Sequence, residues 1–388
     1  MDNFVFYNPV KILFGRGQIA GLRQEVPAGA RVLVTYGGGS ILRNGVMEQV
    51  RAALEGRAAL EFGGIEANPV YETLMKAVEV VRREGVDFLL AVGGGSVLDG
   101  TKFIAAAARF AGEPWDIPAK GAPVAAAVPL GAVLTLPATG SEMNDFAVVS
   151  RAATGEKLPF SSPLVYPRFS IVDPETTFSL PPRQVGNGIV DAFAHVLEQY
   201  LTFPAAAPLQ DRWAESILTT LIEEGPKTLA DPRNYDARAN LCWCATMALN
   251  GLIGSGVPQD WTTHVIGHEL TALCGLDHAQ TLAVVFPGTL AARREAKRAK
   301  LLQYAERVWG LGGGEGGEDE AERIDQAIAM TRAFFESVGV KTRLSDYQVA
   351  PEVVSSVSRR LAERGWTSLG ERQDVSPRQV EEILSYSL

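Results

Sequence analysis

Short apolar runs alternate with helix-patterned segments along the first half of the chain. The runs RVLVTY, DFLLAV and AVLTLP are rich in valine and leucine, and each is followed by a turn rich in glycine or threonine. Between the runs, apolar positions recur with helical spacing, at roughly Leu42–Leu54 and from about Tyr71 to Glu84. Strands that alternate with helices predict a parallel α/β sheet with right-handed crossovers.

The pattern changes near DPETTFSLPPRQ, where Pro181 and Pro182 interrupt the chain. After this point alternation of the β type nearly vanishes and helical periodicity takes over. Because 388 residues are more than one hydrophobic core usually serves, we predict an α/β domain at residues 1–180 and an all-helical domain at residues 181–388. Within the second, the glycine-rich acidic stretch Gly310–Ile324 is predicted to be a solvated connector that enters a helix.

Composition narrows the class of protein. With 46% hydrophobic and 21% charged residues, the chain has the makeup of a soluble globular protein. A net charge of −9 argues against a nucleic-acid binder or a polybasic membrane protein, and we expect neither a signal peptide nor a membrane span. The odd set of cysteines, Cys242, Cys244 and Cys274, favours unpaired core thiols in a reducing cytoplasm over disulfides or metal ligands.

Two GGGS turns give the first indication of chemistry. Each turn, at Gly37–Ser40 and at Gly93–Ser96, follows a predicted strand and precedes a predicted helix. Glycine lets the backbone approach a phosphate, and a helix N-terminus offers free N–H donors. Neither turn reads G-x-G-x-x-G, so the usual dinucleotide fingerprint is absent. Two such turns, together with TLPATGSE at the same edge of the sheet, nevertheless favour a nucleotide site.

The second turn is the stronger candidate for a pyrophosphate site. Gly94, Gly95 and Ser96 are predicted to supply backbone and hydroxyl donors. Asp99 is expected in the first turn of the following helix. There it either stabilises the helix through its dipole, or it positions the loop or accepts a hydrogen bond from the cofactor, and the sequence leaves these roles open.

The first turn bears on the choice of cofactor. An NAD site usually places a carboxylate near the adenosine ribose, but the segment GGGSILR contains no acid. Space at Gly37, Gly38 and Gly39, a hydroxyl at Ser40 and a cation at Arg43 would suit a 2′-phosphate. We therefore predict a preference for NADP(H), while Arg43 read by itself is equally well a solvated helix residue.

All four histidines of the chain fall in two short segments of the second predicted domain. Asp191 and His195 are four residues apart, so they share one helical face, and His264 and His268 repeat that spacing. His278 follows at the expected start of another helix. An isolated Asp–His pair is often a structural hydrogen bond, but this set suits one divalent ion, Zn²⁺ or Fe²⁺. HVIGHE is not H-E-x-x-H, so a zincin protease is not indicated.

Long ordered segments of the chain resemble the iron-containing (group III) alcohol dehydrogenase family, with the strongest similarity to its NADP-dependent aldehyde reductases and butanol-dehydrogenase-like members. The segments that carry the resemblance are YGGGSILRNGV, AVGGGSVLDGTKFIAAAA, LTLPATGSEMN, LPPRQVGNGIVDAFAHVLEQYLT, ALNGLIGSGVPQDWTTHVIGHELTALCGLDHAQTLAVV and KRAKLLQYAERVW. The segment SEMND and the glycine-rich loop depart from the family pattern as we know it.

The resemblance implies a specific assignment of roles. Its metal ligands correspond to Asp191, His195, His264 and His278, with His268 as a nearby histidine that faces the substrate cavity. The cofactor contacts implied are Gly38, Ser40, Gly94, Gly95, Ser96, Asp99, Thr135, Thr139 and Lys157. The family fold has a dinucleotide-binding α/β domain, a helical metal-binding domain, an active site in the cleft between them, and often a homodimer. Read without the resemblance, Lys157 is a surface lysine, Thr135 a strand-end residue and Thr139 a helix cap.

We therefore expect a metal-dependent oxidoreductase that reversibly reduces short- to medium-chain aldehydes to primary alcohols with NADPH. His268 either relays a proton or supports a metal ligand, and Phe146 and Trp261 are guesses for the substrate pocket. Three alternatives stay open: a polyol or glycerol-type dehydrogenase on the same fold, a metal-dependent hydrolase or lyase, and a non-catalytic nucleotide-binding module with a structural metal. The hydrolase reading leaves both GGGS turns unexplained.

Overall fold

The chain forms two compact units in a computed structural model that describes residues 1–312 and 320–388. The first, which we call the sheet unit, comprises Tyr7–Leu180 and Pro232–Thr246. The second, the helical unit, comprises Met1–Phe6, Pro181–Asp231 and Met247–Leu388. Residues 313–319 of the predicted connector at Gly310–Ile324 lie outside the described residues, and the helix expected there begins at Glu320.

The sheet unit alternates strands and helices as the apolar pattern predicts. Its strands are β1 (Lys11–Phe14), β2 (Arg31–Thr35), β3 (Ala58–Phe62), β4 (Phe88–Gly94), β5 (Leu130–Leu136), β6 (Phe146–Arg151), β7 (Glu156–Ser161) and β8 (Phe169–Val172). Its helices are α1 (Leu22–Glu25), α2 (Val46–Ala53), α3 (Tyr71–Glu84), α4 (Gly95–Arg109), α5 (Asp116–Lys120) and most of α8 (Tyr235–Ala248).

Six strands of the described chain form a parallel sheet in the order β1-β8-β5-β4-β2-β3. The chain runs from β2 outward to β3 and then returns across β2 to β4, so the winding direction reverses between β2 and β4. In open α/β sheets, ligands bind beyond the carboxyl ends of the strands at such a reversal. The two GGGS turns follow these two strands, so both lie at the reversal.

A β-hairpin that the sequence did not predict forms a separate two-stranded sheet in the same unit. The strands β6 and β7 pair antiparallel, from Phe146 opposite Ser161 to Arg151 opposite Glu156. The hairpin interrupts the succession of strands and helices. Apolar and polar residues alternate along its strands, as is typical of an antiparallel sheet that is covered on one face. It carries Lys157 on its second strand.

The helical unit contains α6 (Pro182–Tyr200), α7 (Pro208–Ala230), α9 (Thr262–Cys274), α10 (His278–Ala292), α11 (Arg298–Arg307), α12 (Glu320–Ser337), α13 (Val353–Glu363) and α14 (Pro377–Ser385). The apolar stripes of α9, α10, α13 and α14 share one core, which includes Ile266, Leu270, Val284, Leu361 and Ile383. Helix α6 is buried along almost its whole length. None of the described helices is both long and apolar enough to span a membrane.

The fold class, a parallel α/β sheet followed by helices, is confirmed, and some boundaries differ from prediction. The helix expected at Leu42–Leu54 begins only at Val46, because Gly45 has a left-handed backbone (φ 81°) that cannot continue a helix. The units also differ from two contiguous segments divided at 180. Pro232–Thr246 joins the sheet unit because Cys242 packs against Leu134 and Val172.

Candidate functional site

Three helices of the helical unit bring acidic and imidazole side chains to one point. Helix α6 places Asp191 and His195 on one face, α9 contributes His264, and α10 begins with His278. The Nε2 atoms of His195 and His264 are 3.1 Å apart. The Asp191 Oδ1 atom lies 3.8 Å from Nδ1 of His195 and 3.6 Å from Nε2 of His278. All four side chains predicted as metal ligands therefore converge.

The chemistry of this cluster fits a divalent cation. Ligand atoms of Asp191, His195 and His264 lie within 4.8 Å of one another, and all three residues are buried. Asp191 Oδ1 and His195 Nδ1 are buried without a hydrogen-bond partner among the described residues, which is costly unless another group satisfies them. Burial lowers the pKa of His195, so its imidazole is kept neutral and retains a lone pair. Three imidazoles and one carboxylate suit Zn²⁺ or Fe²⁺.

Glu198 is a functional residue that the sequence reasoning missed. Its carboxylate accepts hydrogen bonds from the backbone N–H of His264 (3.2 Å) and from Nδ1 of the same residue. Burial raises the pKa of Glu198 well above its usual value. The backbone N–H groups of Thr263 and His264 oppose this shift by favouring the ionised carboxylate. The ionised carboxylate at Nδ1 fixes the tautomer of His264 and turns Nε2 toward the other ligands. The signal was present, because Glu198 lies three residues after His195 on the same helical face.

His268 lies one helical turn beyond His264, beside the cluster. Its ring centroid is 6.2 Å from that of His264 and 5.2 Å from that of His278. The Trp261 ring lies 5.2 Å from the His264 ring and 6.3 Å from the His195 ring. Trp261 therefore borders the histidine cluster, and its place in a substrate pocket stays a prediction. Phe146, the other guess, is an exposed residue of the hairpin in the sheet unit.

The second GGGS turn is short and tightly packed. Strand β4 ends at Gly94 and α4 begins at Gly95, so the first N–H groups of the helix stand at the end of the strand. A Cβ atom on Gly95 would lie 2.5 Å from the side chain of Thr139. Thr135 lies on the neighbouring strand β5, beside a register shift at Gly93 and Gly94. The turn therefore combines an anion-binding helix end with the two predicted threonines.

Asp99 lies in the second turn of α4 rather than the first, because the helix begins two residues earlier than Val97. Its Oδ1 accepts from the Ser141 hydroxyl (2.7 Å), and its Oδ2 accepts from the backbone N–H of Val148 (2.9 Å). Burial raises its pKa, although Lys102 opposes this. One oxygen thus holds Ser141 in the short 3-10 helix Ser141–Met143, and the other holds Val148 on β6. These contacts favour a positioning role for Asp99.

Lys102 completes this arrangement and was not predicted. Its fully buried ammonium donates to the Ser141 hydroxyl (2.8 Å), the Asn144 side-chain oxygen (2.8 Å) and the Phe146 carbonyl (2.7 Å). Burial lowers its pKa to about 8. Its spacing of three residues from Asp99 was visible in the sequence, but its acceptors come from a loop about 40 residues away.

Lys157 is buried, so the reading of it as a surface lysine is wrong. Its position on β7 of the unpredicted hairpin accounts for the burial. The ammonium donates to Oδ1 of Asn68 (2.9 Å), and the backbone N–H of Asn68 donates to the Ser96 hydroxyl (3.2 Å). Asn68 has a left-handed backbone (φ 56°). It therefore joins two predicted cofactor contacts, and nothing in its local sequence indicated this role.

The first GGGS turn is longer and more open. A short 3-10 helix, Ser40–Leu42, follows Gly39, whose φ of 83° favours glycine. A Cβ on Gly38 would meet nothing within 4 Å. Gly38, Ser40 and Arg43 are exposed. The turn therefore presents Gly38, the Ser40 hydroxyl and the Arg43 guanidinium to solvent at the carboxyl end of β2, whereas Gly39 is buried.

Comparisons with known proteins extend over the whole chain. The family model described as iron-containing alcohol dehydrogenase matches residues 9–174, and the model of the family's C-terminal part matches residues 186–388. The NADPH-dependent aldehyde reductase YqhD of Escherichia coli is 59% identical over 97% of each chain. A probable NADH-dependent butanol dehydrogenase of Bacillus subtilis is 40% identical over 100% of each.

Solved structures show the same relationship. A crystal structure of YqhD from E. coli has a TM-score of 0.98 at 56% identity, and the match covers 100% of this chain and 99% of that one. The NADH-dependent butanol dehydrogenase A of Thermotoga maritima has a TM-score of 0.94 at 37% identity, with coverage of 100% and 99%. The chain belongs to the iron-containing alcohol dehydrogenase family.

Proposed function

We propose that this chain reversibly reduces aldehydes to primary alcohols with NADPH and one divalent metal ion, Zn²⁺ or Fe²⁺, per subunit. The observation that carries the proposal is the convergence of Asp191, His195 and His264, where Asp191 Oδ1 and His195 Nδ1 are buried without a hydrogen-bond partner in the described part of the chain. It occurs in a chain 59% identical to a protein named as an NADPH-dependent aldehyde reductase. The proposed substrates are short- to medium-chain aldehydes.

In this mechanism Asp191, His195, His264 and His278 hold the ion. When bound, such an ion supplies Lewis acidity toward a substrate oxygen. Glu198 contributes by keeping the proton on Nδ1 of His264, so that Nε2 is available as a ligand. The burial that lowers the pKa of His195 keeps that ring neutral for the same purpose.

The sheet unit supplies the residues for NADPH, which provides the hydride. Gly94, Gly95 and Ser96, at the start of α4, are placed to donate to the pyrophosphate. Thr135 and Thr139 are assigned to the nicotinamide ribose, and Lys157, held by Asn68, to a ribose or phosphate oxygen. Asp99 shapes the site by anchoring Ser141 and Val148.

The first turn selects NADPH over NADH in this proposal. Gly38 leaves room, whereas a Cβ on Gly37 would lie 3.2 Å from the Ile65 carbonyl oxygen and Gly39 is buried. Ser40 and Arg43 are exposed and offer a donor and a positive charge to a 2′-phosphate. Curated relatives are named for either cofactor, so family membership alone does not decide the preference. Values of kcat/KM for NADPH and NADH decide it, and equal values or an NADH advantage would contradict the assignment.

His268 is proposed to relay the proton that the product oxygen requires. Its ring lies beside His264 and His278 without being part of the ligand set, and histidine titrates near neutral pH. In His268→Ala, we expect loss of turnover with metal content retained. Unchanged turnover would rule out the relay, and loss of metal together with turnover would point to support of a ligand.

The proposed function is tested by metal analysis of purified protein and by NADPH oxidation over aldehydes of increasing chain length. We expect about one transition-metal ion per subunit and loss of activity when a strong chelator is added. The variant Asp191→Ala should lack the metal but still bind NADPH. Faster turnover of diols or glycerol than of simple alcohols would favour a polyol dehydrogenase. Metal-dependent hydrolysis without NADPH binding would overturn the proposal.

We also propose a homodimer in the cytoplasm. The apolar side chains of Phe4, Val5 and Phe6 are exposed, Val5 by 94%, and such side chains are typical of an interface. The cysteines Cys242, Cys244 and Cys274 are free, as a reducing compartment would keep them. Light scattering after gel filtration tests the dimer, and a monomer at micromolar concentration would exclude it.

A further inference from the structure

Asp277, the residue before His278, is tied to the helix that carries two of the other proposed ligands. On α6, Arg183, Asn187 and Asp191 are spaced four residues apart, so they form one stripe along the helix. The Asp277 carboxylate accepts from the Asn187 side-chain amide (2.7 Å) and from the Arg183 guanidinium (2.7 Å). One turn along the stripe, Asp191 Oδ1 lies 3.6 Å from His278.

Among the four proposed ligands, His278 has the least support from burial. Its side chain is 22% exposed, whereas those of Asp191 and His195 are 5% exposed. It is also the first residue of α10, so no preceding helical turn holds it. Besides its ring contacts with His264 and His268, His278 is held from its N-terminal side by Asp277, the N-cap of α10, whose backbone N–H donates to the Gln280 side chain.

We propose that the Asn187–Asp277 hydrogen bond is a positioning contact that fixes His278 relative to Asp191 and so determines how tightly the metal is held. This inference rests on the metal site proposed above. Asn187 touches no ligand atom in this account and acts through Asp277. The contact with Arg183 is different in kind, because that side chain is 66% exposed and solvent screens its charge.

The two partners of Asp277 provide a matched pair of variants. Asn187→Ala removes the proposed contact, and Arg183→Ala removes the exposed ion pair on the same carboxylate. Asn187→Asp places a second carboxylate beside Asp277. Adding Asp277→Asn to it restores the hydrogen bond with donor and acceptor exchanged, and asparagine still suits the N-cap.

The measurement is the dissociation constant for Zn²⁺, obtained by competition with a chelator, together with the visible spectrum of the Co²⁺-substituted protein. We expect Asn187→Ala to bind Zn²⁺ about 10–100-fold more weakly, as is typical for groups that support a ligand, with an altered Co²⁺ spectrum. Asn187→Asp should be at least as weak, the double variant should recover most of the affinity, and Arg183→Ala should match the wild type.

The outcomes separate this inference from the proposed function. If the wild type binds no metal, the proposed function fails. If the wild type binds but Asn187→Ala binds equally well, or Arg183→Ala weakens binding as much, the positioning contact is excluded. Thermal unfolding of the metal-free proteins provides the structural control. Should Asn187→Ala fail to fold, the double variant decides, because failure to restore affinity in a folded double variant counts against the contact.

Discussion

The same four residues, GGGS, stand at the carboxyl ends of two adjacent parallel strands of the sheet unit and fold in two different ways. After β4, the helix α4 starts at once at Gly95. After β2, a 3-10 helix intervenes, and α2 starts only at Val46. The tetrapeptide itself therefore does not determine the turn.

The difference lies in what packs against each turn. Gly95 is in close contact with Thr139, and Lys102 on the same helix ties the adjoining loop through Ser141. Gly38 has open space around it, and Arg43 is exposed. The tightly packed turn after β4 suits the pyrophosphate, a group that both nicotinamide cofactors share. An open turn suits the part that distinguishes them, the 2′-phosphate.

Removing the Lys102 ammonium, which holds the loop beside the second turn, should have the largest effect on stability. In Lys102→Met, the buried ammonium is lost, and Asp99 and Asn144 lose its compensating charge and hydrogen bond. We expect the free energy of unfolding to fall by about 3–5 kcal/mol, measured by urea denaturation. Arg43→Met in the open turn is the matched control and should change stability by less than about 0.5 kcal/mol. Similar losses of unfolding free energy in the two variants would show that the two turns are held equally firmly.

The second-largest difference is expected when a glycine of each turn is replaced by alanine. In Gly95→Ala, the new methyl group would lie 2.5 Å from Thr139, so we expect a loss of about 1–3 kcal/mol and weaker NADPH binding. Gly38→Ala adds a methyl group into open space and should cost less than about 0.5 kcal/mol. Fluorescence titration with NADPH and thermal unfolding measure both effects, and an equal cost at Gly38 would refute the contrast.

A smaller effect is expected on the choice of cofactor. Arg43→Ala should lower kcat/KM for NADPH by up to about fivefold, because an exposed charge pair contributes at most about 1 kcal/mol. The value for NADH should be unchanged, since that cofactor lacks the 2′-phosphate. A parallel loss with both cofactors would mean that Arg43 does not read the phosphate.

The smallest expected effect is on the way the stability of the protein changes with pH. Glu142, in the loop held by Lys102, is fully buried, and burial raises its pKa above 4.5. A carboxyl group with a raised pKa in the folded state stabilises the protein below its unfolded pKa, and this stability is lost as pH rises through the folded value. Glu142→Gln should therefore lose less stability than the wild type as the pH rises above 4.5. Identical pH profiles would contradict this assignment.

Periodicity in the sequence predicted the elements and the faces that matter. The strand ends at the winding reversal, and the histidine pairs on single helical faces, follow from local spacing. Helix α3 was predicted at Tyr71–Glu84 and lies there. A four-residue spacing also places Asp191 and His195 together without knowledge of what packs nearby.

Local spacing could not predict hydrogen-bond partners that are distant in the sequence. Lys102 meets Ser141 across the sheet unit, and Asn68 joins Ser96 to Lys157. A spacing rule identifies the face of an element, but the group that covers that face is chosen by the tertiary fold. Glu198 is the exception, since it lies on the same stripe as His195 and was missed although its spacing was visible.

The stretch Pro232–Thr246 has a practical consequence for dissecting the protein. It covers Leu134 and Val172 through Cys242, and the Thr246 hydroxyl donates to buried Glu142 (2.5 Å). A fragment truncated after Leu180 would lack this cover, leaving apolar side chains bare and a carboxyl group without its donor. An autonomous nucleotide-binding fragment would need that helix grafted back, since a single cut in the gene does not separate the two halves cleanly.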